Sequence, residues 1–379
     1  MTRWNALWAV AVGLGLSATA VAKELPQAVT QAHLPPGFSL ELYVDGVANA
    51  RQMAWGPNGT LLVGSRREGK VYAVYDRDQN GHPETVTILA SDLNMPSGLA
   101  VKDNQLYVAA VNQILRFDLS KPGSDPAVVY DDLPSDRHHG WKFIRFAPDG
   151  RLIVPIGAPC NVCDEPLPYN SIYAIDLASG ERELLAQGVR NSVGFDFDSD
   201  GKLVFSDNGA DMMGDDLPPC EINRVEVNGS HFGYPYWHGG VVEDASYKIP
   251  AALNGKLVDP IAQLQAHVAP LGVEFYRGTQ FPKPWQGALL IAEHGSWNRS
   301  SKVGYRISAL TFDGTANSGY QVLVDGWLDG DTPLARPVAF LPHADGSMLI
   351  SDDHHGRIYR LSFNPELVKR AGDAAQGTP

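Results

Sequence analysis

Four groups of residues in this chain have the types and spacing to do chemistry. Asp136-Arg137-His138-His139-Gly140-Trp141 offers histidine, the natural general base for taking a proton from a hydroxyl near neutral pH. Gly188-Val189-Arg190-Asn191-Ser192 places a planar fork of donors, suited to a carboxylate or a developing oxyanion, beside an amide that both donates and accepts. Ser206-Asp207-Asn208-Gly209-Ala210-Asp211, followed by Asp215-Asp216 and Cys220-Glu221-Ile222-Asn223, clusters oxygens around a glycine, as a hard cation such as calcium prefers. Glu293-His294-Gly295-Ser296-Trp297-Asn298-Arg299, with Arg336 and Asp352-Asp353-His354-His355, adds further basic groups. Taken singly, each also has a plain reading: a structural histidine, a loop salt bridge, a solvated acidic loop. A fifth stretch, Asp76 to Glu84, opens like a calcium loop (D-x-D-x-N-G) but has Thr87 where the bidentate glutamate belongs. It is either a structural calcium site using Asp76, Asp78, Asn80 and Glu84 or an ordinary Asn-Gly hairpin turn.

The elements that must position these groups repeat along the chain. An Asp-Gly or Asn-Gly type of turn is followed by an apolar strand, a loop and a second strand ending near an acid, and the turn markers fall at 59, 104, 150, 201, 287 and 346. Steps of about 45 to 50 residues with strand-turn-strand content are the signature of propeller blades, small antiparallel sheets that cannot bury both faces alone. The expected fold is all-β, a six-bladed β-propeller of four-stranded blades spanning 34–365. The long fourth interval predicts a loop insertion over about 209–265, and long loops on one rim are where such scaffolds carry function. The strand Ser39-Leu40-Glu41-Leu42-Tyr43-Val44 is expected to pair with Ile358-Tyr359-Arg360-Leu361 and close the ring. The 38 glycines and 27 prolines in 379 residues supply the many turns this requires. Residues 366–379 read as a polar tail.

Residues 1–22 read as a signal peptide: Arg3 is the positive n-region, Ala6 to Ala20 is apolar or small, and Ala20-Val21-Ala22 is an A-x-A cleavage pattern. The apolar run is shorter than a membrane span, so periplasmic or secreted location without stable membrane insertion is expected. A net charge of -13 would repel phosphate backbones and argues against nucleic acid as a partner. Cys160 and Cys163 have no second pair to complete a zinc site, and Asp164 stands where covalent haem attachment needs histidine. They read as a short-loop disulfide or a redox pair, with Cys220 left over as a small buried residue.

These four groups, in this order on six repeats, resemble the soluble quinoprotein sugar dehydrogenases, the pyrroloquinoline quinone (PQQ) dependent glucose, aldose and L-sorbosone dehydrogenase family. The resemblance covers about Leu34 to Phe363. Pro159-Cys160-Asn161-Val162-Cys163 and Gly295-Ser296-Trp297-Asn298-Arg299 look most like the sorbosone branch. The resemblance implies PQQ and calcium as cofactors, and oxidation of an aldose or sugar aldehyde by hydride transfer to the quinone. It also implies a separate electron acceptor such as a periplasmic cytochrome or quinone. Position by position it makes His139 the base and Arg190 the stabiliser of the quinone oxygen. Asn191, Asn208, Arg299 and Arg336 become cofactor ligands, and Gly209 and Ala210, with Asp211, the calcium site. Two departures stand out: the acidic loop is expanded, with Cys220 before Glu-Ile-Asn, and Leu334 replaces an arginine found in some members. Aromatic residues such as Trp237, Tyr276 and Trp297 are candidates to stack on the sugar. The competing readings are a calcium-dependent lactonase-type propeller, against which Arg190, Arg299 and Arg336 argue, and a propeller that only binds a sugar or a protein.

Overall fold

The computed structural model describes residues 24–311 and 319–368. The signal-peptide reading of residues 1–22 and the tail beyond 368 lie outside the described residues. Six four-stranded antiparallel sheets follow one another along the chain. The first blade is Ala50–Trp55, Leu61–Ser65, Val71–Tyr75 and Thr85–Ala90; the second is Gly98–Lys102, Gln105–Ala109, Ile114–Asp118 and Ala127–Tyr130. The third is Arg145–Phe146, Leu152–Ile156, Ser171–Ile175 and Arg182–Gln187, extended at its outer edge by Ser230–His231, which pairs in parallel with Ala186 and Gln187. The fourth is Phe195–Phe197, Leu203–Asp207, Cys220–Arg224 and Ala262–Leu264; the fifth is Pro270–Phe275, Leu289–Glu293, Arg306–Thr311 and Gly319–Val324. The sixth joins Pro337–Pro342, Met348–Asp352 and Arg357–Phe363 to Phe38–Asp45, with Leu40 opposite Leu361 and Leu42 opposite Tyr359. The ring is therefore closed by the chain's own first strand, as the sequence predicts.

The burial pattern explains why these segments read as continuous apolar runs. Middle strands such as Leu61–Ser65 and Leu152–Ile156 are buried at every position, since each blade is covered on both faces. Outer strands such as Thr85–Ala90 are half exposed. Apolar packing falls into six clusters, one in each interface between neighbouring blades. Leu62, Ala73, Leu106 and Leu115, for example, interlock blades one and two. No blade owns a complete core, so the ring folds as a unit. Among the described residues no helix is long and apolar enough to cross a membrane.

The structure redraws one boundary. The 209–265 stretch, expected as a loop insertion, contains the third and fourth strands of blade four. The extra chain is thereby split into 208–219 and 225–261. The strand Cys220-Glu221-Ile222-Asn223-Arg224 reads as loop in the sequence because its acidic and amide residues suggest a solvated cluster, whereas Glu221 and Asn223 are buried and only Cys220 and Ile222 join the apolar core.

Candidate functional site

The loops entering and leaving the blades converge on a funnel of about 840 Å³. It brings together His139, Arg190, Asn191, Asn208, Gly209 and Asp211 from the third and fourth blades with Arg336 from the entrance to the sixth. Ala210 is buried just behind that surface.

His139 is 8% exposed and adopts a left-handed backbone conformation, φ 48°. Its Nδ1 lies 2.9 Å from the Ala158 carbonyl, a contact that assigns the proton to Nδ1 and leaves the Nε2 lone pair for a substrate. Burial first, then the positive charge of Arg190 and the neighbouring His138, hold its pKa well below the usual histidine value, so the ring is neutral at pH 7. The backbone of Gly157 passes so close that a Cβ there would sit 2.7 Å from the His139 Cβ. Glycine is required by that approach, which keeps the imidazole seated.

Arg190 is clamped from several sides. Its Nε donates to the Asn161 carbonyl at 2.9 Å, and one terminal nitrogen donates to Asn161 Oδ1 at 2.8 Å and to Asp211 at 3.0 Å. Asn161 belongs to the loop closed by the Cys160–Cys163 disulfide. It also accepts the Asp211 N–H at 2.9 Å, so one side chain ties the arginine to the acidic loop. Behind the site the buried Asp207 carboxylate accepts the backbone N–H groups of Arg190 and Asn191 at 2.8 and 2.7 Å. Asn208 donates to the Asn191 carbonyl at 2.9 Å and the Pro270 carbonyl at 3.1 Å, holding its own loop against blade five. Among the described residues no donor reaches the Gly209 or Ala210 carbonyl.

The wall facing this cluster is cationic. Arg51 donates to Asp353 at 2.8 Å, Asp353 accepts from His294 Nε2 at 2.8 Å, and Arg336 donates to His294 Nδ1 at 3.0 Å. Burial pushes His294 down to about 4, so this chain of contacts holds a neutral imidazole between two arginines. Arg66 lies flat on Trp141, 3.5 Å from the ring centroid, and Arg67 and Arg137 also line the funnel. Six arginines thus face two carboxylates, Asp211 and Asp353, in a chain of net charge -13. Arg51, Arg66, Arg67, Asp353 and His294 carry no assigned role in the sequence reading. One signal could have found Arg51: it opens an innermost strand, as Arg336 does immediately before the sixth blade.

Other expected residues lie elsewhere. Arg299 is outside the funnel lining: it donates to the Asp215 carbonyl at 3.0 Å and to Asp216 at 2.8 Å, pinning the 208–219 stretch. An acid placed within reach on that expanded loop neutralises it. Tyr276 is buried in the core, stacked on Phe281 with centroids 4.0 Å apart. Trp237 pairs with Glu243 in a small hairpin, while Trp297 lines the funnel and is 68% exposed. Outside the funnel, ligand oxygens of Asp76, Asp78 and Glu84 lie within 4.8 Å of one another. Asn80 instead turns its amide to Asp78 at 2.9 Å, and its Oδ1 accepts the His82 N–H at 2.8 Å.

Residues 173–296 match the glucose/sorbosone dehydrogenase family model, and residues 250–364 a TrAA12-like model. An uncharacterized protein of Borreliella burgdorferi is 34% identical over 87% of this chain and 90% of its own length. The pyrroloquinoline quinone-dependent pyranose dehydrogenase of Coprinopsis cinerea is 23% identical over 88% of this chain and 55% of that protein, so the chain spans about half its length. The holo PQQ domain of the Coprinopsis enzyme superposes with a TM-score of 0.72 at 18% identity, covering 88% of this chain and 97% of that one. A Trichoderma reesei family AA12 enzyme gives 0.75 at 21% identity, with 88% and 98% covered. The PQQ-bound aldose sugar dehydrogenase of Streptomyces coelicolor gives 0.62 at 20%, with 88% and 100% covered.

Proposed function

The chain belongs to one family with the Borreliella burgdorferi protein, and from that premise, joined to the glucose/sorbosone dehydrogenase region, we propose that it is a PQQ- and calcium-dependent dehydrogenase. Its substrate is an aldose or related sugar aldehyde, and its electrons pass to a separate acceptor such as a cytochrome or a quinone. One observation carries the reading: a buried neutral histidine with a free Nε2 faces a funnel with six arginines and two carboxylates, inside an acidic protein. Such a funnel fits a planar polyanion carrying several carboxylates. The donor set for the metal fits as well, since among the described residues no donor reaches the Gly209 or Ala210 carbonyl, and Gly209 and Asp211 line the funnel. When bound, PQQ supplies the electrophilic carbon that accepts a hydride, and calcium polarises its carbonyl.

The protein's own residues do the rest. His139 Nε2 takes the proton of the anomeric hydroxyl, and the Ala158 carbonyl keeps the ring in the tautomer that can do so. Arg190, fixed by Asn161, Asp211 and the Asn208 carbonyl, presents its positive charge and its one remaining terminal N–H where negative charge develops. Arg336 and Arg51, braced by His294 and Asp353, receive carboxylates, with Asn191 and Asn208 shaping the floor. Arg299 acts by anchoring the loop that holds Asp211. The Asp76 loop is either a structural calcium site, with Asp76, Asp78 and Glu84 as its carboxylates, or an ordinary Asn-Gly hairpin turn. A leader over 1–22 and the Cys160–Cys163 disulfide accord with export to an oxidising compartment.

A lactonase needs a metal cage of carboxylates in the funnel. Asp211 and Asp353 are both already paired with arginine there, so that reading is not favoured. The test is dye-linked oxidation of an aldose panel by the purified protein with PQQ and calcium together and each omitted in turn. Activity requiring both is expected. Silence toward every sugar, with no PQQ bound in a calorimetric titration, sinks the reading.

A further inference from the structure

The six funnel arginines divide into two sets. Arg51, Arg190 and Arg336 each have a partner in the protein: Asp353, Asp211 and His294. Arg66, Arg67 and Arg137 have none: among the described residues no acid or carbonyl accepts from their guanidinium groups, and the Arg66 Nε is buried without a partner. Burial and the charges of Arg51 and Arg67 push Arg66 down to about 10, the mark of a cation short of counter-charge. Trp141 connects this set to the chemistry: its ring carries Arg66 on one side, and its centroid lies 5.9 Å from that of His139. The Trp141 Nε1 is likewise buried without a partner. A half-buried guanidinium is stacked on the ring next to the base, and among the described residues nothing accepts from it.

We infer that Arg66, Arg67 and Arg137 form an anion subsite for the substrate, so that the preferred sugar carries a negatively charged group, a carboxylate or a phosphate, away from its anomeric centre. The inference rests on the proposed dehydrogenase reading and narrows its substrate class. With the anomeric hydroxyl at His139 Nε2, the rest of the sugar ring extends past Trp141 toward these three arginines. A planar guanidinium stacked on an indole loses little freedom on binding an oxyanion. The net positive charge of the funnel also draws an anionic sugar into an otherwise acidic protein.

The test compares D-glucuronate, D-glucose 6-phosphate and D-glucose on the protein loaded with PQQ and calcium, by dye-linked turnover at low ionic strength. Calorimetric titration of the loaded His139→Gln variant with the same sugars gives binding without turnover. An anionic sugar is expected to show a KM and a Kd lower than those of D-glucose by about tenfold or more, a preference that shrinks with added salt. The anionic sugar that is preferred separates carboxylate from phosphate recognition. Arg66→Gln, and independently Arg67→Gln with Arg137→Gln on the exposed rim, should each reduce that preference severalfold. The inference is overturned if D-glucose binds as tightly as both anionic sugars or if the preference survives these variants. It is also overturned if loading with PQQ abolishes glucuronate binding, since the arginines then belong to the cofactor. The two readings fail separately. Arginine-dependent binding of an anionic sugar without oxidation of any sugar overturns the dehydrogenase reading alone, and oxidation of neutral sugars without anionic preference overturns the subsite alone.

Discussion

Asp207 and Glu221 lie directly opposite each other on adjacent strands of the fourth blade, both carboxylates buried. Burial pushes Asp207 up to about 6; burial and the negative charge of Asp207 push Glu221 up to about 8. The folded state therefore keeps a proton on Glu221 that the unfolded chain releases near pH 4, and stability falls as pH rises through the interval up to about 8. The histidines with depressed values, His138, His139, His231, His238, His294 and His354, act in the opposite sense but only below about pH 6.5. Thermal melts should show the wild type losing stability from pH 6.5 to 8 while Glu221→Gln stays level. Glutamine can still accept the Gly239 N–H and, with the Asn223 amide turned over, can donate to the Asn223 Oδ1 that has no partner. Equal slopes for the two proteins would show that Glu221 is ionised in the fold.

Asp207→Asn should damage the neighbouring blade entrance. One amide oxygen cannot replace two carboxylate oxygens for the Arg190 and Asn191 N–H groups, and one buried N–H is left unsatisfied. A loss of about 1–3 kcal/mol in denaturant unfolding is expected, with a larger proportional loss of turnover because Arg190 moves. Turnover unchanged in Asp207→Asn would separate Asp207 from the site.

The pH profile of kcat/KM checks the base. A histidine held well below its usual value stays unprotonated as pH falls, so the acid limb is expected below pH 6.5. His139→Gln should lower kcat by about 10² to 10⁴ while PQQ binding, followed by its absorbance, persists. An acid limb at or above pH 7 would point to another base.

Gly157→Ala tests the seat of that base without touching its chemistry. The added methyl meets the His139 Cβ at 2.7 Å and the His139 carbonyl at 3.1 Å, and that backbone has little room to retreat. Destabilisation of about 1–3 kcal/mol is expected, with turnover falling by at least tenfold at a pH where His139 is neutral. Retained turnover would mean the histidine loop is softer than its packing indicates.

Removing the disulfide tests the clamp on Arg190. In Cys160→Ala with Cys163→Ala, Asn161 is freed from the closed loop that aims its carbonyl and its side chain at Arg190. The buried Cys220 is unaffected. The expected signature is weaker cofactor binding and lower kcat with a modest loss in melting temperature, since the closed loop is short. Full activity in this variant would assign the arginine's position to Asp211 and Asp207 alone.

The period of the turn markers and the apolar runs determined the fold from sequence alone, because each blade is a local strand-turn-strand unit whose middle strands are covered on both faces. Ring closure was legible for the same reason: the alternation of Ser39 to Val44 matches that of the last strand. Residue types also marked His139, Arg190, Asn208 and Arg336 as chemical candidates. Only the tertiary structure decided which of them share one funnel. Arg299 carries the same side chain as Arg336, yet Asp215 and Asp216 on the folded loop capture it. Arg51, Arg66 and Arg67, distant in sequence from the four groups that marked the site, reach the funnel because closing six blades into a ring brings the first beside the sixth. Charge balance at a site is a sum over residues that meet only after folding, so no local pattern could announce that three of the six arginines would find no acceptor among the described residues.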